Sequence, residues 1–248
     1  MINIICSEFI KLKKSFIIPL VLIGGIFIPT MYFVSYLDMG EEYASIIRYT
    51  SSMDIISNID IMQIQVLDTV LFSLLGGYIF SREHTNKTAN VLYSYSASRM
   101  KIFIGKAIVV FTLIVLVYFL NLLSSLIMLG VSFGLDEVKN IFSLQFKICL
   151  SSALLQILII PIPMLIGIIS KNVILPAIYG VIGSLTSMFM IATGVWMQLS
   201  PFIIPVLPFY HFFRGDPIDY IAVTLSGAIA FLGSITRIIF YLKHCDIN

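Results

Sequence analysis

Charge is scarce in this 248-residue chain: Asp, Glu, Lys and Arg make up 11% of it, against 59% hydrophobic residues. A soluble domain carries about a quarter charged residues and roughly half apolar ones. A mean hydropathy of +1.02 is too high for a single core wrapped in water. The composition therefore predicts a polytopic membrane protein with one transmembrane domain over residues 1–248. The small net charge, +2, argues against a nucleic-acid partner. Cysteine is scarce as well. Cys6, Cys149 and Cys245 are odd in number, far apart and without CxxC or Cys/His spacing, so neither a disulfide framework nor a metal site is expected.

Several chemical signatures are missing. Gly105-Lys106 lacks both the upstream glycine and the following Ser or Thr of a phosphate-binding loop, so ATP is not expected to bind here through a P-loop. Without an HExxH, GxSxG or paired-aspartate motif inside a span, no catalytic residue is expected. Carboxylates are rare in the apolar runs, which disfavours an ion-coupled carrier, since carriers keep ion ligands near the midplane.

Long apolar runs, by contrast, are plentiful. About 20 apolar residues cross a ~30 Å hydrocarbon core as a helix. Such runs occupy 16–36, 61–80, 103–133, 148–170, 173–195 and 218–242, giving an all-α fold of six transmembrane helices. The first run is too long for a signal-peptide core and has no small-x-small cleavage site after it, so it reads as a retained anchor. The third is long enough to tilt or to project past the bilayer. Residues 196–213 contain Pro201, Pro205 and Pro208 and predict a re-entrant or interfacial segment before the last span, lying on protein. Trp196, Tyr210 and His211 suit a membrane boundary. Pro161 and Pro163 predict a kink in the fourth span.

With the N-terminus inside, eleven basic residues fall in cytoplasmic segments: Lys11, Lys13, Lys14, Arg82, Lys87, Arg99, Lys101, Lys106, Lys171, Arg237 and Lys243. Only four, Arg48, Lys139, Lys147 and Arg214, fall outside. The positive-inside rule then puts both termini, and the basic loop between spans two and three, in the cytoplasm. Residues 1–15 carry Ile5, Phe9 and Leu12 at helical spacing with lysines behind them, which predicts an amphipathic helix along the inner leaflet.

Other polar and small residues keep two readings each. Asp68, with Gln63 and Gln65 before it, lies ~18 Å above the inner boundary at 1.5 Å per residue. It reads either as the wall of a translocation path or as a carboxylate near a span end. Gly24, Gly25, Gly180 and Ser184 belong to small-residue faces that serve helix packing within one bundle or a dimer interface.

The loop's residue order carries a resemblance. Glu83, Thr88, Val91-Leu92, Ser98-Arg99 and Gly105-Lys106, with the opening Glu8–Lys14 and six spans, resemble the ABC-2 type permease subunits of bacterial lantibiotic-immunity, bacitracin-resistance and peptide-export transporters. Lys87 stands where that family usually has Gly, and Ser96 where it has Pro. The resemblance implies a subunit of the bacterial cell membrane that expels amphipathic antimicrobial or toxin-like peptides and binds no cofactor itself. ATP and Mg would sit on a separate ATP-binding subunit. That subunit would dock on a coupling loop over 81–101, with a coupling helix near 85–93, through Glu83, Thr85, Thr88, Val91, Leu92 and Arg99. Residues 1–15 would be a connecting helix acting through Glu8, Phe9 and Leu12, and a second permease copy would meet the first near spans one and five. The rival readings are a non-transporting membrane sensor or scaffold and an ion-coupled secondary carrier.

Overall fold

The computed structural model describes residues 2–13, 15–38, 52–88 and 98–244, and every regular element among them is helical. Helix α1 (Ile2–Lys13) precedes α2 (Ile17–Asp38). A continuous run follows, made of α3 (Ser52–Asp60), a π-helical stretch (Ile61–Leu67) and α4 (Asp68–Thr85). Next come α5 (Arg99–Phe133), α6 (Leu135–Ile159), α7 (Pro161–Ser170) and α8 (Ile174–Ile191). Two 3-10 turns (Gly194–Leu199 and Ile204–Val206) lead into α9 (Leu207–Arg214) and the closing α10 (Tyr220–His244).

Among the described residues, six runs are long and apolar enough to cross a membrane: Ile17–Ser35, Ser52–Thr85, Arg99–Phe133, Leu135–Ser170, Ile174–Ile191 and Tyr220–His244. Their number agrees with the sequence reading, but two boundaries do not. The second run starts at Ser52, not at residue 61, and the fourth at Leu135, not at 148. Asp54, Asn58, Asp136, Glu137 and Lys139 mask these ends in a hydropathy scan. Helical spacing nevertheless brings Ile55, Ile56 and Ile59 against Met128, Leu129 and Ile141 in a small core of their own. Ser52 also donates to Glu137 Oε2 at 2.7 Å. Runs of 34 to 36 residues span roughly 50 Å at 1.5 Å per residue, well beyond a ~30 Å hydrocarbon core. The second, third and fourth runs therefore extend past the bilayer.

The fourth run breaks where its prolines predict. α6 ends at Ile159 and α7 starts on Pro161, whose missing N–H and fixed φ suit a first helical turn. Residues 196–213 form no straight helix either. Ile203, Ile204, Val206, Leu207, Phe209 and Tyr210 are all buried. Ile203, Ile204 and Leu207 pack with Leu155, Leu158 and Val223, so this segment lies on protein. Trp196 is exposed, as a boundary residue should be, whereas Tyr210 is enclosed with Arg214 stacked 5.3 Å over its ring.

At the centre of the subunit, α4 contacts α7 and α8 closely. α2 packs on α5, and α5 on α6. The faces of α2, α8 and α10 that point away from the bundle remain apolar and exposed, with Ile23, Phe27, Ile182, Phe189, Ile221 and Phe240 on them.

Candidate functional site

The end of the bundle that carries most of the basic residues holds a five-membered charge cluster drawn from three helices. α1 supplies Glu8 and Lys11, α4 supplies Arg82 and Glu83, and α5 supplies Lys106. Glu8 accepts from Lys11 at 2.7 Å, Arg82 at 3.0 Å and Lys106 at 3.2 Å. Glu83 lies 2.9 Å from Lys11 and 3.5 Å from both Arg82 and Lys106. Lys106 also donates to the carbonyl of Ile79 at 3.0 Å, and Arg82 sits over the Tyr78 ring. Glu8, Arg82, Glu83 and Lys106 are buried. Two carboxylates face three cations, so each carboxylate is shared and none can be removed without leaving a buried charge exposed to an apolar wall. Half-burial opposes the charge on Lys11, but its bonds to Glu8 and Glu83 outweigh that, and its pKa lies above the ordinary lysine value.

The local sequence explains how the cluster assembles. A Cβ at Gly105 would lie 2.8 Å from Ile4 Cγ2, so glycine lets α1 settle on α5. The next residue, Lys106, then reaches the carboxylate of α1. On α1 the buried residues are Glu8 and Leu12, while Phe9 is exposed. The face packed on the bundle runs through Ile5, Glu8 and Leu12, where the cations of α4 and α5 compensate the carboxylate.

The start of the basic loop is equally defined. α4 ends with Lys87 N–H bonded to His84 O and Thr88 N–H to Glu83 O, the two bonds of a Schellman cap. Thr88 Oγ1 also donates to Glu83 Oε2 at 2.6 Å. Such a cap needs a left-handed residue at the position of Lys87, which has φ +57. This is the position where the resembling family has glycine. Lys87→Gly is expected to raise stability by about 1 kcal/mol, the penalty of a left-handed non-glycine residue, readable as a small rise in melting temperature of the purified chain. At the far end of the loop, Ser98 caps α5 by accepting the Lys101 N–H, and Arg99 donates to the carbonyl of Leu242 on α10 at 3.2 Å.

Of the residues expected to meet the ATPase, Glu83 lies inside the cluster, Thr88 is bonded to it, and Thr85 is exposed on the last turn of α4. Val91 and Leu92, with most of the expected coupling helix, lie outside the described residues. Gln63, Gln65 and Asp68, expected along a path, are enclosed within the subunit, at 0%, 2% and 0% exposure. Asp68 sits at the middle of the Ser52–Thr85 run, far from either end. The small residues also face neighbours of the same chain: Gly24 meets Leu71, Gly25 meets Leu120 and Gly180 meets Ser73, while Ser184 is buried. Lys11, Arg82 and Lys106 had been read as topology or motif markers. The signal that could have linked Arg82 and Lys106 to Glu8 was the cost of a carboxylate on the packed face of α1, which the i+3 Lys11 alone does not offset.

Residues 4–187, about three-quarters of the chain, match the family described as ABC-2 family transporter protein. No curated protein and no solved structure gives a significant match. With six candidate membrane-spanning helices among the described residues and a match over most of its length, the chain belongs to the ABC-2 transporter family, whose multi-pass membrane permeases lack an ATPase domain of their own and partner with ATP-binding subunits.

Proposed function

We propose that this permease expels amphipathic antimicrobial or toxin-like peptides across a bacterial cell membrane, powered by a separate ATPase that binds ATP and Mg and docks on the loop Arg82–Lys101. The observation that carries the docking site is the charge cluster. It ties the α4 root of the loop to α1 and α5, while Arg99 ties the α5 root to α10. A push on the loop is therefore delivered to four helices at once, which a membrane domain without its own nucleotide site requires. The peptide substrate rests on the resemblance of the loop and of the opening Glu8–Lys14. A second permease copy meets this one on the exposed apolar faces of α2 and α8, whose small residues thin the bundle from behind.

The test is co-purification of the chain with an ATPase encoded beside it, followed by ATP turnover in vesicles with and without cationic amphipathic peptide. Wild type is expected to show peptide-stimulated turnover. Reversing the charge of Arg99 and Lys101 should abolish stimulation while membrane insertion persists. Normal transport by that variant would refute the docking assignment.

A further inference from the structure

A second polar cluster lies in the middle of the bundle, remote from the charge cluster, and the docking of an ATPase on the loop makes no use of it. Asp60 and Asp68 are both fully buried, and each is paired with a fully buried glutamine. Gln145 Nε2 donates to Asp60 Oδ1 at 2.7 Å, and Gln63 Nε2 donates to Asp68 Oδ1 at 2.6 Å and to the Gly24 carbonyl at 3.1 Å. The two pairs share one deficiency. Asp60 Oδ2, Gln145 Oε1, Asp68 Oδ2 and Gln63 Oε1 are buried acceptors with no hydrogen-bond partner among the described residues. The Tyr118 hydroxyl, on the α5 helix facing both aspartates, is likewise buried and unpartnered.

No cation of the protein answers these acceptors: among the described residues neither aspartate has an ion pair. The titratable groups that face them are Tyr118 from α5 and Cys149 from α6, besides each other. Residues 17–37 of α2, the α8 helix and the Ile204–Val206 turn carry no Asp, Glu, Lys, Arg or His. α9, which touches α3, brings Tyr210, His211 and Arg214, but His211 is bonded to the Asp216 carbonyl and Arg214 covers Tyr210. Two carboxylates without a counter-charge are costly in such surroundings. An orphaned amide oxygen beside each of them asks for a proton donor or a cation, not for another acceptor. The backbone adds to this, since Ile61–Leu67, between the two aspartates, is π-helical, a local form that is rare and frequent at functional sites.

We propose that the Asp60–Gln145 and Asp68–Gln63 pairs form an intramembrane binding site for small monovalent cations, either protons or alkali ions, bridging the free carboxylate and amide oxygens of each pair. The site links the π-helical run to α2 through Gly24 and to α6 through Gln145, so its occupancy sets how these three helices lock together. The inference stands on these side chains and is independent of which substrate the permease carries.

The experiment uses the full chain purified with its ATPase, as wild type, Asp60→Asn and Asp68→Asn. Melting temperature is measured in sodium, lithium, potassium or N-methylglucamine chloride at one ionic strength and from pH 5 to 9. Infrared difference spectra of wild type minus each variant are recorded alongside. An alkali-ion site predicts that sodium or lithium raises the wild-type melting temperature by about 2–4 °C and leaves the variants unmoved. A proton site predicts a protonated-carboxyl C=O band at neutral pH that vanishes in each variant, with no alkali-ion effect. Ionised carboxylates together with a melting temperature indifferent to every cation would overturn the proposal and assign the free acceptors to buried water. If an asparagine variant does not fold, the wild-type cation series and its carboxyl band still decide.

Discussion

Replacing Glu8 with leucine is expected to cost about 3–5 kcal/mol, because it breaks a buried ion network from one side. Lys106 and Arg82 would then share the single carboxylate of Glu83, in a position where both are almost entirely enclosed. At roughly 2–4 °C per kcal/mol for a chain of this size, the purified protein should melt on the order of 10 °C lower. Restoring the charge balance separates electrostatics from lost packing. The double variant Glu8→Gln with Lys106→Met leaves one carboxylate against Lys11 and Arg82, and should recover most of the loss, since the two residues are in direct contact and their effects do not add. A Glu8→Leu protein that melts within a degree of wild type would show that α1 is not held by the cluster.

The other large effect is expected where α4 meets α7. A Cβ at Gly167 would stand 2.8 Å from the carbonyl oxygen of Gly77 and 2.9 Å from its Cα. Both are backbone atoms, which cannot turn aside as the end of a side chain can. A Cβ at Gly77 in turn would overlap Pro176 of α8, 2.3 Å away. Three helices thus meet at distances that only glycine permits, the arrangement that small residues allow in lipid. Gly167→Ala should cost on the order of 3 kcal/mol by overpacking, and Gly167→Val should fail to yield folded protein. Gly233 on α10 is the control, with nothing within 4 Å of its added Cβ. There alanine should be neutral or stabilising by about 1 kcal/mol from helix propensity alone. A Gly167→Ala protein as stable as Gly233→Ala, with neither losing stability, would show that α4 and α7 are not in close contact.

How much of this was legible beforehand depends on the range of the interaction. The six spans were, because a run such as 103–133 advertises its burial locally. The proline break at Pro161 was too, since it follows from one residue's covalent geometry. The starts of the second and fourth runs were not. Asp54 and Asp136 lower the hydropathy there, and only the meeting of Ile56 with Ile141 across the bundle extends the helices. The same blindness hid the charge cluster's membership. Glu83 and Gly105-Lys106 were visible as an ordered pattern, yet nothing in a one-dimensional reading says that Glu8, 98 residues before Lys106, is the carboxylate it binds. Asp60 shows the error in another form. It lies one residue outside the apolar run 61–80, yet Gln145 and the surrounding helices enclose it completely. Lys87 departs from the family's glycine, yet the chain still takes the left-handed turn there, with lysine in glycine's place.

Docking of the ATPase on the loop that leaves α4 can be read by chemical crosslinking. In a background with Cys6, Cys149 and Cys245 replaced, a single cysteine is placed at Thr85, exposed on the last turn of α4, or at Leu135, exposed at the opposite end of the bundle. Each variant is purified with its ATP-binding subunit and treated with a short thiol-to-amine crosslinker. A permease–ATPase adduct is expected from Thr85→Cys and none from Leu135→Cys. No adduct from Thr85→Cys in a complex that still co-purifies and hydrolyses ATP would contradict docking on this loop.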